Sequence, residues 1–227
     1  MRLVALIGSP VAQSLSPRMQ NAAFAACGLD WTYVACEVRA DGLEAAVRGL
    51  DALGFAGANV TAPYKRDVPR LVDTELESVN TLLFDPPRGF STDTAVLDGL
   101  EFERPAIVGG GGAAAAFRAA LPEARVFTRR GEWPADVSDC DLVVHATPVR
   151  DEVLVRLGRG QTLIDLPYPG SATADAARAA GARVLDGLEV LVAQGAESFE
   201  LWTGMPAPVE EMRRAVGLPR AQPDDSG

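Results

Sequence analysis

The segment NVTAPYK, residues 59–65, ends in Lys65, the only lysine among the 21 basic residues of the chain. Arginine stays charged at physiological pH, whereas lysine can exchange a proton when its surroundings lower its pKa. Pro63 predicts the start of a helix, which places Lys65 in a first turn where the helix dipole disfavours an ammonium group. A nearby carboxylate would instead favour the ammonium form and would hold the amine in place. Lys65 is therefore a candidate proton donor and acceptor, with a solvated surface lysine as the alternative.

A glycine run, GGGGAAAA at residues 109–116, lies between a predicted strand and a predicted helix. This is the context of a dinucleotide-binding turn. Gly109 and Gly111 would allow a tight turn and close approach of the backbone to a pyrophosphate, and Gly112 would let the helix lie near the sheet. The helix N-terminus favours anions through its free N–H groups. The alternative is a glycine- and alanine-rich composition without functional meaning.

The next predicted strand ends in Thr128, Arg129 and Arg130. An acidic residue near this place binds the ribose hydroxyls of NAD, whereas arginine suits the 2′-phosphate of NADP. Two adjacent arginines without an acidic residue between them favour NADP. An ordinary solvated arginine pair is the alternative.

Composition excludes several other classes of protein. The net charge of −10 without a basic stripe argues against a nucleic-acid partner. Three scattered cysteines (27, 36 and 140) and a single histidine argue against a metal site. No run approaches the roughly 20 apolar residues of a membrane span. The start, MRLVALIGSP, lacks a signal-peptide pattern, so a cytoplasmic protein is expected.

Strand and helix patterns alternate along both halves of the chain, which predicts an α/β fold. Predicted strands cover residues 3–7, 31–38, 58–61, 125–128, 142–146 and 162–166, with another before the glycine run. Predicted helices cover residues 17–27, 43–50, 172–181 and 188–202, one that begins at Pro63, and one that runs from the glycine run to Leu121. The tail AQPDDSG is expected to be frayed.

Five motifs occur in an order that resembles the shikimate dehydrogenase family, which includes quinate dehydrogenases. They are SLSP (14–17), NVTAPYK (59–65), VNT (79–81), STD (91–93) and GLEVLVAQGAESFELWTG (187–204). The resemblance covers nearly the whole chain and implies two lobes. Residues 1–98 and 188–227 would form an α/β substrate domain, and residues 99–187 a Rossmann-like NADP domain from which a C-terminal helix returns to the first lobe.

The same resemblance implies NADPH-dependent, reversible reduction of 3-dehydroshikimate to shikimate, a step of aromatic amino acid biosynthesis. Lys65 and Asp93 would be the catalytic pair. Implied substrate-binding residues are Ser14 and Ser16, which hold the carboxylate, and Asn59, Thr61, Asn80, Tyr168 and Gln194. Implied cofactor-binding residues are Gly109, Gly111, Gly112, Ala113, Thr128, Arg129, Arg130, Thr147 and Gly187, and Leu188 would lie near the substrate or nicotinamide. Considered one at a time, these residues have simpler interpretations. The two serines are good helix N-caps, the asparagines are typical of turns, and Gln194 is an amide on a helix surface.

The chain departs from the family pattern in ways that bear on substrate preference and turnover. The departures are Gln13, Gln20, Ser91, Val190 and a short segment at residues 73–79. His145 stands where the family usually has another polar residue, and we assign it a structural role or cofactor-side packing. Quinate or dual specificity, and a non-catalytic paralogue that binds shikimate or NADP, are the alternative functions. The expected partner is a small-molecule substrate, and the expected assembly is a monomer or a homodimer.

Overall fold

The computed structural model describes residues 1–220, so the expectation for the tail lies outside the described residues. The strands are β1 (Arg2–Gly8), β2 (Trp31–Glu37), β3 (Gly57–Val60), β4 (Thr81–Leu83), β5 (Arg88–Phe90), β6 (Pro105–Val108), β7 (Arg125–Phe127), β8 (Leu142–His145), β9 (Thr162–Asp165) and β10 (Arg183–Leu185). The helices are α1 (Ser16–Ala26), α2 (Leu43–Ala52), α3 (Gly112–Ala120), α4 (Ala172–Ala179), α5 (Gly187–Thr203) and α6 (Val209–Val216). They surround two sheets, and the prediction of a two-lobed α/β fold is confirmed.

The first sheet has the strand order β2-β1-β3-β4-β5. β1 pairs in parallel with β2 and β3, while β4 and β5 add an antiparallel hairpin. Successive residues of β1 point to opposite faces: Val4 and Leu6 pack in a core with residues of α1, α5 and α6, whereas Ala5 and Ile7 pack in a core with residues of α2. Both faces are covered, which explains why β1 is a continuous apolar run.

The second sheet is entirely parallel, in the order β10-β9-β8-β6-β7. Its first strand, β6, lies between β7 and β8, so the chain reverses its direction of winding beside β6. In open parallel sheets, ligands bind at the carboxyl ends of the strands next to this reversal. The Rossmann-like arrangement expected for this part of the chain is confirmed.

Helix α5 connects the two sheets. The Asp186 side chain caps it by accepting hydrogen bonds from the backbone N–H groups of Leu188 at 3.1 Å and Glu189 at 3.3 Å. Trp202 lies in the core of the first sheet, and its indole N–H donates to the Leu82 carbonyl at 2.9 Å. Val190 packs in a core of the second sheet. α5 thus returns to the first lobe as expected, while the proposed domain boundaries stay a prediction.

The helix predicted to begin at Pro63 is wrong. Two short 3-10 turns, Tyr64–Arg66 and Val68–Leu71, occupy this segment. An α-helix would need the N–H of residue 69 to bond the Lys65 carbonyl, and Pro69 has none. The Lys65 carbonyl instead accepts from Val79 N at 2.8 Å. A single 3-10 turn has no extended dipole, so the helix-dipole argument for Lys65 fails with the helix.

None of the helices within residues 1–220 combines the length and the apolar character needed to cross a lipid bilayer.

Candidate active site

Lys65 and Asp93 form a largely buried ion pair. Lys65 Nζ lies 2.7 Å from Asp93 Oδ1 and 2.8 Å from Asp93 Oδ2. The lysine side chain is 17% exposed and the aspartate side chain 9% exposed. An amine that is bonded to both oxygens of one carboxylate has a defined position and direction. Lys65 is therefore not the solvated surface lysine that composition alone left open.

Contacts on either side hold the turn that carries Lys65. Tyr64 is buried in the core beneath α2, and its hydroxyl donates to the Val38 carbonyl at 2.5 Å. Val79 N holds the other side through its bond to the Lys65 carbonyl. Consecutive side chains of a 3-10 turn point about a third of a revolution apart. Burial of Tyr64 therefore directs Lys65 away from that core and toward Asp93.

Asn80 holds the other member of the pair. Its Nδ2 donates to Asp93 Oδ1 at 2.9 Å and to Thr92 Oγ1 at 3.0 Å, and its Oδ1 accepts from Thr92 N at 2.8 Å. Asn80 is only 2% exposed. The resemblance assigns this residue to a ring hydroxyl, but in this structure both amide hydrogens already have partners. Its clearest role here is to fix the Asp93 carboxylate.

Three buried hydroxyls, which we call the hydroxyl cluster, lie behind the site: Thr81, Thr92 and Ser198. Ser198 Oγ is 2.9 Å from Thr81 Oγ1 and 3.1 Å from Thr92 Oγ1. Ser198 donates to the Gln194 carbonyl at 2.9 Å and accepts from Asn59 Nδ2 at 3.0 Å. The cluster therefore joins three elements: β4, α5 and the loop that follows β5. The positions of Asn59, Gln194 and the loop that carries Asp93 consequently depend on one another.

Tyr33 completes this network from the opposite side of Asn59. Its hydroxyl donates to Asn59 Oδ1 at 2.8 Å. Burial raises the pKa of Tyr33 far above its ordinary value, so the hydroxyl keeps its hydrogen and remains a donor. The sequence patterns did not identify Tyr33 or the hydroxyl cluster. Only one local signal was available: Ser198 follows Gln194 by four residues and shares its helix face.

A cavity of about 230 Å³ brings the predicted substrate-binding and catalytic residues together. They are Ser14, Ser16, Asn59, Thr61, Lys65, Asn80, Asp93, Tyr168 and Gln194. Ala113 and Gly187, which were predicted on the cofactor side, line this same cavity. We call it the Lys65 cavity. Residues of the second lobe form part of its wall, so the two lobes meet around the ion pair.

Ser14 and Ser16 do not act as helix caps. Leu15 occupies the N-cap position of α1, and no side chain caps this end. Ser14 Oγ instead donates to Ser16 Oγ at 3.2 Å and accepts from Ser16 N at 3.2 Å. Both serines line the Lys65 cavity. Capping therefore does not explain why serine stands at these two positions.

Gln194 enters the Lys65 cavity from α5. Its Nε2 donates to the Leu191 carbonyl at 2.9 Å, so the carbonyl end of the amide is available. Gln20, fully buried on α1, donates to the Gly195 carbonyl at 2.8 Å and fixes α5 next to Gln194. Leu188 does not line the cavity but packs against the core of the first sheet. Val190 lines the cavity instead, because it lies on the helix face toward the second lobe.

Ser91 lies elsewhere. It lines a separate cavity of about 720 Å³ beside α3, together with Glu77 and Arg118. Its Oγ is buried and has no hydrogen-bond partner within the described residues. This departure from the family pattern therefore lies outside the Lys65 cavity.

A cavity of about 240 Å³, which we call the nucleotide cavity, lies at the carboxyl ends of β6, β7 and β8. Four predicted cofactor-binding residues line it: Gly109, Thr128, Arg129 and Thr147. It also includes residues that the sequence patterns did not identify: Gly110, Trp133, Pro148, Val149 and Leu154. Its place beside the reversal in the second sheet is where that topology is expected to bind a ligand.

The glycines differ in what requires them. Gly109 has φ 139°, and a Cβ there would overlap the Ala146 carbonyl, so only glycine fits. Apart from its neighbours in the chain, a Cβ at Gly111 would meet no heavy atom of residues 1–220 within 4 Å. A Cβ at Gly112 would lie 2.9 Å from Lys65 Cβ. Gly112 therefore allows α3 to lie close to the Lys65 turn of the other lobe, whereas the sequence pattern predicted that it would allow close packing of helix and sheet. The strained turn, the open space and the N-terminus of α3 fit a dinucleotide pyrophosphate.

The two arginines after β7 differ in environment. Arg129 lines the nucleotide cavity, and its Nη2 lies 3.2 Å from Glu152 Oε2. Both side chains of this pair are well exposed, at 64% and 63%. Arg130 is also exposed but does not line the cavity. Arg129 is thus the better placed of the two for an anionic group at the cavity mouth.

A Rossmann-like sheet that faces a second α/β lobe defines the two-lobed, dinucleotide-binding class of α/β proteins. The chain belongs to the shikimate dehydrogenase family. Residues 6–82 match the family model for the shikimate dehydrogenase substrate binding domain, and residues 187–216 match that for the shikimate 5′-dehydrogenase C-terminal domain. The recognition made from the sequence motifs is confirmed.

Individual relatives match over nearly their full length. A curated relative from Anaeromyxobacter sp. (strain K), named shikimate dehydrogenase (NADP(+)), is 38% identical over 94% of this chain and 95% of its own. The structure of shikimate 5-dehydrogenase from Thermus thermophilus in complex with NADP(H) and shikimate is 27% identical with a TM-score of 0.85, covering 95% of this chain and 98% of that one. Quinate dehydrogenase from Corynebacterium glutamicum in complex with NAD is 26% identical with a TM-score of 0.78, covering 95% and 98%.

Proposed function

We propose that this chain is an NADP-dependent shikimate dehydrogenase that catalyses the reversible reduction of 3-dehydroshikimate to shikimate. One observation carries the proposal: Lys65 Nζ is held by both oxygens of Asp93 at the wall of a cavity lined by serine, threonine, asparagine and glutamine side chains. Such a lining suits a small, polyhydroxylated carboxylic acid. The 38% identical relative with the same activity in its name supports the choice of substrate.

Ser14 and Ser16 bind the substrate carboxylate in this proposal. Their hydroxyls are not used to cap α1, and they face the cavity. The carbonyl end of Gln194 accepts a hydrogen bond from a ring hydroxyl, the Thr61 hydroxyl donates or accepts another, and Tyr168 closes the cavity from the second lobe. These neutral groups orient the ring without competing with the ion pair, so a substrate oxygen can approach Lys65.

Bound NADPH supplies the hydride for the carbonyl carbon. Lys65 supplies the proton: its ammonium group donates to the carbonyl oxygen as negative charge develops there. In the reverse direction the neutral amine accepts the proton of the hydroxyl. Asp93 keeps the amine in place through two hydrogen bonds, and Asn80 keeps Asp93 in place. A general acid or base placed in this way contributes about 10²–10⁴-fold to the rate.

The nucleotide cavity holds the cofactor in this proposal. The turn at Gly109 and the open space at Gly111 receive the pyrophosphate at the N-terminus of α3. Arg129 provides a positive charge for the 2′-phosphate. Positions 128–130 contain no acidic residue that would bind the ribose hydroxyls and so select NAD. The chain therefore prefers NADP. Its three cysteines are free thiols, which supports a cytoplasmic location.

Quinate or dual specificity is the second candidate, because a quinate dehydrogenase has the same fold over 98% of its length. Quinate carries an additional hydroxyl on the carbon that bears the carboxylate. Ser14 and Ser16 therefore lie where the two substrates differ. A non-catalytic paralogue is disfavoured, because the Lys65–Asp93 pair is assembled with short hydrogen bonds.

Steady-state rates test the proposal directly. Shikimate and quinate are each combined with NADP+ and with NAD+, and reduced nucleotide is followed by its absorbance. We expect the highest kcat/KM for shikimate with NADP+. Higher kcat/KM for quinate would establish the second candidate. Absence of turnover in all four combinations, in a protein that binds NADP+ by calorimetry, would contradict an enzymatic function.

A further inference from the structure

The only histidine of the chain stands at the carboxyl end of β8 and has no role in the proposed mechanism. In the parallel register, His145 lies beside Val108 of β6 and Asp165 of β9. Neighbouring residues in register point to the same face of a sheet. His145 and Asp165 are both fully buried, and His145 Nδ1 is 2.6 Å from Asp165 Oδ1.

The surroundings of Asp165 indicate which ring nitrogen carries the hydrogen. Ser171 Oγ accepts from Ala174 N at 3.2 Å, so its hydrogen is directed to Asp165 Oδ1 at 2.8 Å. Asp165 Oδ1 accepts this hydrogen bond, and its other lone pair faces His145 Nδ1. We therefore place the hydrogen of the imidazole on His145 Nδ1, which leaves Nε2 as an acceptor.

Nε2 of this imidazole faces Thr147 Oγ1 at 2.7 Å. A threonine hydroxyl has one hydrogen and two lone pairs. The hydrogen goes to His145 Nε2, and one lone pair accepts from Val149 N at 3.2 Å. A single lone pair is left. Thr147 lines the nucleotide cavity beside Gly109, so this lone pair is what the hydroxyl offers to a ligand there.

We infer that His145 is a positioning residue for nucleotide binding: together with Asp165 it orients the Thr147 hydroxyl as an acceptor, so that Thr147 recognises an N–H or O–H donor of the bound nucleotide. The adenine amine, the carboxamide of the nicotinamide ring and the ribose hydroxyls are the sources of such a donor. The inference rests on the proposed dinucleotide-binding function. It extends that function by giving His145 a role and by assigning a polarity to one contact.

The order carboxylate, imidazole, hydroxyl also activates serine nucleophiles in hydrolases. Here the hydroxyl oxygen accepts a backbone hydrogen bond and borders the glycine turn. These contacts hold the oxygen in a ligand-binding position, so we assign it to binding.

A double-mutant cycle tests the inference without any need for turnover. His145→Asn keeps an amide that can reach Asp165 but is too short to reach Thr147, and Thr147→Val removes the hydroxyl at constant shape. The Kd for NADP+ is measured by calorimetry for the wild type, both single variants and the double variant. We expect each single variant to weaken binding by about fivefold to tenfold, as for the loss of one hydrogen bond. The double variant should be no weaker than Thr147→Val.

Thr147→Ser serves as the rescue variant, because it restores the hydroxyl and should restore the wild-type Kd. Additive effects of the two substitutions would overturn the inference, since His145 would then not act through Thr147. Should His145→Asn fail to fold, an unchanged Kd in Thr147→Val would overturn the inference on its own, while a weakened Kd restored by Thr147→Ser would support the Thr147 contact.

Nucleotide analogues determine the source of the donor. Replacing adenine by hypoxanthine changes the amine to an acceptor, deoxy analogues remove one ribose hydroxyl each, and an acetylpyridine analogue replaces the carboxamide by a group without N–H. Loss of affinity in the wild type but not in Thr147→Val, for one of these analogues, identifies the group that Thr147 binds. Equal affinity for all analogues would overturn the assigned polarity. A folded wild type that binds no dinucleotide would overturn the proposed function, and the inference with it.

Discussion

The Lys65 cavity and the nucleotide cavity are built on different principles. The groups that define the first are buried side chains that bond to each other: taken as whole residues, Asn59, Asn80 and Asp93 are 5%, 2% and 6% exposed. The groups that define the second are backbone turns and an exposed ion pair, with Arg129 and Glu152 64% and 63% exposed. In the Lys65 cavity, chemistry therefore depends on the identity of the side chains. In the nucleotide cavity, binding depends on the space that the backbone leaves and on charges that solvent screens.

This difference predicts how substitutions divide between the two sites. Removing one member of a buried network leaves its partners unsatisfied, which costs more than losing a solvated contact. Changes in the Lys65 cavity should therefore lower kcat or stability. Changes in the nucleotide cavity should mainly alter the KM or Kd for the cofactor.

The largest effect is expected for Lys65→Arg. The positive charge next to Asp93 is kept, but arginine does not exchange its proton at physiological pH. We expect kcat to fall by about 10²–10⁴-fold, as for the loss of a general acid or base. The melting temperature should change little, because the ion pair persists. Steady-state kinetics and thermal unfolding are the measurements.

The neighbouring Arg66→Lys substitution is the matched control. Arg66 is exposed, in the same 3-10 turn, and does not line the Lys65 cavity. It should retain wild-type kcat. Combining both substitutions exchanges the two residue types without changing composition, and should be as inactive as Lys65→Arg alone. Turnover near the wild-type level in Lys65→Arg would remove the proton-transfer role from Lys65.

Two neighbouring glycines test the boundary between the cavities. Gly112→Ala would place a Cβ 2.9 Å from Lys65 Cβ and 3.4 Å from Ser78 Oγ, so α3 and the Lys65 turn must separate. We expect kcat to fall by about 10–100-fold, because a small misplacement of a catalytic group is costly. Gly111→Ala points into open space and should keep kcat but raise KM for NADP+ several-fold.

The contrast between these two variants is the critical outcome. Both are Gly→Ala changes at adjacent positions, so the change in composition is the same, and Gly111 is the N-cap of α3 whereas Gly112 is its first residue. An equal fall in kcat for both would mean that the glycines serve the turn alone, and that the close approach of Gly112 to Lys65 does not matter for catalysis.

Local signals in the sequence were sufficient for much of the fold. The apolar run of β1 and the glycine turn before α3 both combine a short-range pattern with a clear stop, and the structure contains both. The β4–β5 hairpin was not predicted, because three-residue strands are too short to show a period. No helix forms after Pro63, because Pro69 has no N–H to donate and the Lys65 carbonyl bonds instead to Val79, a partner outside any local pattern.

Local patterns did not predict the hydrogen-bond network behind the candidate site, because its members are far apart in sequence. Thr92 is 11 residues from Thr81 and 106 residues from Ser198 in sequence, and single hydroxyls carry no motif. What identified the cavity residues was a family resemblance over five motifs. Resemblance names positions but not their bonding, so it assigned Asn80 to the substrate although its amide hydrogens are directed to Asp93 and Thr92.

Ser198→Ala tests whether the hydroxyl cluster supports the Lys65 cavity. The substitution removes the group that Asn59, Thr81 and Thr92 share. We expect the free energy of unfolding to fall by about 1–3 kcal/mol, since buried polar groups lose a partner. The kcat/KM for shikimate should fall several-fold while the Kd for NADP+ stays unchanged. Denaturant unfolding and kinetics measure the two effects.

Thr203→Val is the control for Ser198→Ala. Thr203 lies on the same helix and donates to the Phe199 carbonyl at 2.8 Å. Like Ser198, it thus bonds to the carbonyl of the fourth preceding residue, but it does not line the Lys65 cavity. It should leave kcat/KM unaffected. A loss of cofactor affinity in Ser198→Ala as large as its loss of kcat/KM would contradict the separation of the two cavities.

The smallest effect is expected for Glu152→Gln, which changes the ion-pair partner of Arg129 beside the nucleotide cavity. Glu152 pairs with Arg129 and thus competes with a 2′-phosphate for the same guanidinium. Its removal should tighten NADP+ by up to about fivefold at low salt, because an exposed ion pair is worth at most about 1 kcal/mol. The gain should vanish at high salt, where exposed charges are screened, and NAD+ should show none of it. Asp151→Asn, also exposed and adjacent, controls for the change in net charge. Equal tightening of NADP+ and NAD+ would mean that Glu152 repels the pyrophosphate rather than competing for Arg129, and Arg129 would lose its assignment as the group that selects NADP.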